Sequence, residues 1–173
     1  MTTKEPLEVW LRGPVAGYAP QVQPVVHALL QVREEIDRHC ADLTTEELWA
    51  RPGGAASIGF HLRHLAGSTD RLLTYARGES LSPEQMAWLR SEGDAGTPAS
   101  TAAEAIALAQ AGIDRALDQV RGTDVATLQE PRGVGRAQLP TTVMGLVFHV
   151  AEHASRHAGQ IATTRKVLRG ATG

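Results

Sequence analysis

The chain has 173 residues, 42% hydrophobic and 21% charged, which suits one globular domain, 1–173, with a real core. A formal charge of −2 argues against nucleic acid as a partner, and a single cysteine excludes a disulfide framework or a Cys-rich zinc site. No apolar run approaches the roughly 18 residues that span a bilayer, and the opening Met1–Pro14 lacks the apolar region of a signal peptide, so a cytoplasmic protein without a membrane partner is expected.

Residues 1–19 hold Trp10, Gly13, Pro14 and Gly17 and read as an extended lead-in whose apolar side chains lie over the fold. From Pro20 the pattern becomes helical. Val22, Val25, Val26, Leu29, Leu30, Val32 and Ile36 follow the three-and-four spacing of an amphipathic helix that runs to about Cys40. Thr44 and Glu47 form a capping box before a single helical turn that stops ahead of Pro52. Ser57 caps a second long helix, with Ile58, Leu62, Leu65, Leu72 and Leu73 on its buried face and an end near Gly78.

Ser82, Pro83 and Gln85 open a short helix through Leu89, and Gly93 to Pro98 is loop. Thr101 and Glu104 cap a third long helix that carries Ile106, Ala109, Ile113, Ala116, Leu117 and Val120 and ends at Gly122. Residues 123–140, with Pro131, Gly133, Gly135 and Pro140, read as a long connection with at most one helical turn around Val125–Leu128. Thr141 or Thr142 caps the last helix, which extends to about Leu168 with Met144, Val147, Phe148, Ala151 and Ile161 as apolar positions. The fold class is therefore all-α, a four-helix bundle with short extra helices in the connections.

Aromatic residues are scarce, at 4%, whereas histidine occurs seven times. On the last helix His149, His153 and His157 follow one another at intervals of four, so neighbours share a face one turn apart. His149 and His157 are ~12 Å apart along the axis at ~1.5 Å per residue, too far for one ion to bind both with bonds of about 2.0–2.1 Å. One cation takes His149 with His153, or His153 with His157. A third imidazole comes from His61 or His64 on the second long helix. A commoner use of such a ladder is a polar groove, but the histidine pair on another core helix favours metal.

Three rival motifs fail. His149-Val150-Ala151-Glu152-His153 spells the H-x-x-E-H peptidase signature, but no acidic residue follows His153 to complete it. Di-iron bundles need Glu-x-x-His, which does not occur. A serine hydrolase lacks its G-x-S-x-G elbow.

Ser57-Ile58-Gly59-Phe60-His61-Leu62-Arg63-His64-Leu65-Ala66-Gly67-Ser68, followed by His153-Ala154-Ser155-Arg156-His157-Ala158-Gly159-Gln160, resembles the DinB/YfiT-like superfamily. Trp10–Pro14 and Asp70–Gly78 fit one of its branches, and the likeness covers nearly the whole chain. The resemblance implies a bundle, often dimeric, with His64, His153 and His157 as ligands of a divalent metal, Zn or Ni foremost and Fe or Cu also compatible. His61 and His149 then stand outside the ligand set, His149 as a groove or outer residue. Gln160 matches the Gln of H-x-x-x-H-x-x-Q and is expected to orient a ligand by a hydrogen bond.

The resemblance also implies chemistry. Similar proteins include S-transferases that use a low-molecular-weight thiol such as bacillithiol or mycothiol, with an electrophilic small molecule as the second substrate. A metal-dependent hydrolase and a non-enzymatic, stress-related metal-binding bundle are the alternatives. Glu152 and Asp70 are candidate general bases by their place in the sequence, although a solvated helix face is the commoner role for each. Since imidazole must be neutral to ligate, metal affinity is expected to fall as pH drops through about 6.5.

Overall fold

The computed structural model describes residues 6–95 and 99–170. Residues 1–5 of the expected lead-in and 96–98 of the expected Gly93–Pro98 loop lie outside them. Four long helices dominate: α1 (Gln23–Cys40), α3 (Ile58–Ala76), α5 (Ala102–Gly122) and α6 (Val143–Gly170). Two short ones, α2 (Thr45–Trp49) and α4 (Pro83–Ser91), sit in the connections. Both α3 and α1 pack against α5 and α6, so α1 and α3 face each other across the diagonal of an all-α bundle.

The apolar stripes explain this packing. Val26, Leu29, Val32 and Ile36 of α1 meet Leu62 and Leu65 of α3, Ile113 of α5, and Val147 and Ile161 of α6 in one core. Each of these nine is at most 1% exposed. With few rings available, the helices approach closely at small residues. A Cβ added to Gly112 of α5 would stand 3.2 Å from the Ala66 Cα of α3. Gly112→Leu should therefore wedge α3 from α5 and lower stability by about 1–3 kcal/mol, read as a shift in urea midpoint.

Local capping signals act as the sequence indicates. Thr44, Ser82 and Thr101 each accept a hydrogen bond from the third residue of the helix that follows, and Glu47, Gln85 and Glu104 reach back to the cap backbone. The last helix uses Thr142, whose hydroxyl accepts from the Gly145 N–H at 3.0 Å.

Three expectations change. Residues 123–140 are not an irregular connection. Pro131–Val134 (β1) and Leu139–Thr142 (β2) pair antiparallel, with Pro131 opposite Thr142 and Val134 opposite Leu139. A sheet of only two strands leaves each an open edge, where proline's missing N–H is tolerated. The Arg132 side chain then donates from Nε to the Ala76 carbonyl at 2.9 Å, tying the hairpin to the end of α3.

The lead-in is not simply extended, because Val9–Arg12 makes a 3₁₀ turn. It also covers less than its composition promises: Val9 is buried, but Trp10 is 61% exposed. Phe148 likewise lies on the outer face of α6 and is exposed. Among the described residues no helix is long and apolar enough to cross a membrane.

Candidate metal centre

α3 and α6 run side by side, and their histidines meet at the contact. Ser57 starts α3 by accepting the Phe60 N–H at 3.1 Å, which fixes the helical register of His61 and His64. One ring nitrogen from each of His64, His153 and His157 lies within 4.8 Å of the others. The ring centroids are 4.7 Å apart for His64 and His157, 4.5 Å for His153 and His157, and 5.1 Å for His64 and His153.

One nitrogen of each ring already has a partner. His64 Nδ1 is 2.6 Å from Glu92 Oε2, His157 Nδ1 is 2.9 Å from His61 Nδ1, and His153 Nδ1 is 3.4 Å from Ser68 Oγ. In all three the nitrogen left over is Nε2. Two neutral imidazoles that meet through Nδ1 must be of opposite tautomer. If His157 keeps Nε2 free for a cation, its Nδ1–H donates and His61 Nδ1 accepts.

Electrostatics prepares the rings for ligation. Burial pushes His157 down to about 3, helped by its histidine neighbours and Arg156. Burial, with His64 next in effect, pushes His61 and His153 down to about 4. These three imidazoles are neutral at pH 7, the form that binds metal. Phe60 stacks on His64 with the ring planes 17° apart and turns an edge to His61 and His157. His64 and His153 remain half-buried, so solvent reaches the group.

Other sequence candidates stand further out. The His149 side chain is 46% exposed and pairs with Glu152 at 3.1 Å. Glu152 also pairs with Arg156 on the same helix. Asp70 accepts from the Gln85 side chain at 2.6 Å and belongs to the contact between α3 and α4. Gln160 is exposed, beside His61, Arg156 and Thr163 on the wall of a surface groove. His61 lies inside, 5% exposed, against His157.

Two neighbours of the rings escaped sequence reasoning. Ser68 is one helical turn beyond His64, and the spacing alone could have marked it. Glu92 is 28 residues from His64, at the cap of a short helix, and nothing local marks it.

Residues 28–161 match the family model of the DinB superfamily. The chain belongs to the DinB superfamily. No curated protein matches the sequence. The matched region contains the three histidines of this DinB bundle, all of α3 and α6 as far as Ile161. The donor set fits a resident metal: three clustered imidazoles, two of them held neutral by burial, with each Nδ1 engaged elsewhere. A borderline divalent ion such as Zn, Ni, Fe or Cu suits nitrogen donors, whereas Mg or Ca would want oxygen.

Proposed function

We propose that this DinB protein binds one divalent metal through His64, His153 and His157 and serves as a metal-dependent thiol S-transferase. The observation that carries the reading is the convergence at one point of three imidazoles and, among the described residues, no carboxylate. Three protein ligands leave a coordination position for an exchangeable group, as in catalytic rather than structural sites. Neutral donors leave a bound cation its full charge, so the vacant position favours an anion.

A metal held there would supply Lewis acidity, lowering the pKa of a thiol or water bound beside it. The chain's own residues position the three rings, hold His153 and His157 neutral by burial and cover one side with Phe60. Hydrolysis would also call for a general base, but the nearby carboxylates are engaged: Glu152 with Arg156 and His149, Glu92 with Arg71 and His64, Asp70 with Gln85. Thiol transfer asks less of the protein. The thiol loses its proton to solvent, its sulfur bonds to the electrophilic carbon, and the leaving group departs with the bonding electron pair.

Metal-loaded protein assayed with a panel of low-molecular-weight thiols and an activated aryl halide should turn over with at least one thiol. His153→Ala should abolish that turnover. A metal-replete protein inert toward every thiol would sink the transferase reading in favour of a metal-binding bundle without catalysis.

A further inference from the structure

The short helix α4 buries none of its own residues, yet it is firmly docked on α3. The docking is polar: near its start Gln85 donates to Asp70 and Thr74, and a second group of contacts lies at its C-terminal end. Arg63, 1% exposed, lays its guanidinium 4.9 Å from the centre of the Trp88 ring and donates to the Ser91 carbonyl at 2.9 Å. The residue thereby delivered is Glu92, 3% exposed. One of its oxygens takes the Arg71 guanidinium, and the other lies 2.6 Å from His64 Nδ1.

The space for this arrangement depends on Gly67. A Cβ there would fall 2.2 Å from Trp88 Nε1 and 2.4 Å from Glu92 Oε1. The α3 surface thus admits the Trp88 edge and the Glu92 carboxylate where any larger residue would push them off.

We infer that Glu92 is a positioning residue for the metal site, holding His64 in the Nδ1–H tautomer with Nε2 turned toward His153 and His157. A buried carboxylate is strongly disfavoured unless it is paired. Arg71 alone could supply the opposite charge. The second oxygen does something Arg71 does not need: it accepts the one proton that a neutral His64 must carry on Nδ1 if Nε2 is to bind a cation. Of the three Nδ1 contacts only this one is to a carboxylate. The others are to a hydroxyl and an imidazole, weaker hydrogen-bond acceptors than a carboxylate. His64 is also the only ligand on α3, so its orientation decides whether the α6 pair gains a third donor. The inference rests on the metal-site reading for its purpose, but the tautomer it assigns belongs to the chain without metal.

The test has a part that needs no metal and no variant. In the metal-free full chain at about pH 8, above the ordinary imidazole range, nitrogen-15 correlation spectra should show His64 as the Nδ1–H tautomer. Finding it as Nε2–H overturns the inference. Glu92→Gln keeps the shape but gives the site an amide that can present either an oxygen or an N–H, so His64 should lose its single tautomer. Cobalt(II) titration should then show affinity weakened roughly 10- to 100-fold.

Because that variant leaves Arg71 without its anion, Arg71→Met/Glu92→Gln provides a version free of the stranded charge, and it should show the same loss. Circular dichroism and melting report folding in both. A folded variant with wild-type cobalt affinity and an unchanged His64 tautomer would make Glu92 a structural partner of Arg71 only, and the inference would fall. Wild-type protein that takes up no cobalt would instead defeat the metal-site reading, while the tautomer measurement still decides the inference.

Discussion

His153→Ala should leave the protein essentially without metal, reducing content from about one ion per chain to a small fraction of that. His153 is common to both pairings that the α6 ladder allows, and its ring lies 4.5 Å from His157 and 5.1 Å from His64. Removing it leaves one imidazole from each helix. The affinity loss should exceed the roughly 100-fold upper range of an outer-shell change. His157→Ala should have the same effect on metal, but it also takes away the partner of a buried His61. That adds about 1–3 kcal/mol of instability, so His153→Ala is the cleaner variant.

The informative control is His149→Ala. Its ring is 5.4 Å from that of His153, but its side chain is largely in solvent and paired with Glu152. Metal content measured by elemental analysis should remain at the wild-type level in that variant. The opposite pattern, with metal lost on removal of His149 and kept without His157, would move the ion one turn along α6 and undo the site.

Why the ladder resolves this way follows from helix geometry. Each step of four residues turns ~40° about the axis, so three histidines at that interval cannot all face α3 equally. The sequence states the interval but not which part of the arc meets the neighbour, and so the choice between the two pairs stayed open. The neighbour favours the second pair: the His64 ring lies 4.7 Å from that of His157, while His149 turns toward solvent. His61 had the same ambiguity on α3. Spacing placed it near His64, but only the packing of α3 on α6 puts its Nδ1 against His157.

Signals contained within a few residues were readable. The capping boxes at Thr44, Ser82 and Thr101 and the apolar stripes of α1, α3 and α5 specify the bundle locally. What needed two distant segments was not. Pro131 and Pro140 speak against strands in isolation, and only their mutual pairing, anchored through Arg132, makes the hairpin. Glu92 reads as one more charged residue at the end of a polar helix. Its burial arises from Arg63, Gly67 and Arg71 on another element, and no periodicity encodes that.

Acid should weaken the metal-free bundle well before His61, His153 and His157 of the folded chain take up protons. His61 and His153 are held down to about 4 and His157 to about 3, chiefly by burial. In the unfolded chain each titrates near 6.5. Between those limits the unfolded state carries protons that the native state refuses, so stability rises with pH. The contribution is complete above about 6.5 and is lost progressively as pH falls toward 4.

From pH 7 to pH 5 the loss is on the order of 1–2 kcal/mol for each of the two buried rings, His61 and His157, and less for the half-exposed His153. Urea midpoints of chelator-treated protein across that range should fall accordingly. The same burial revises the expectation that metal affinity drops through about 6.5. Three ordinary imidazoles would lose roughly 10⁴-fold in affinity from pH 7 to pH 5. Two of the three proposed ligands, His153 and His157, stay neutral in that interval, so the folded protein should lose far less. Bound metal should in turn hold the fold together to lower pH, since a ligand of the native state alone stabilises it by mass action. A metal-free midpoint that is flat from pH 7 to pH 5 would mean that burial does not hold His61, His153 and His157 neutral in the folded chain.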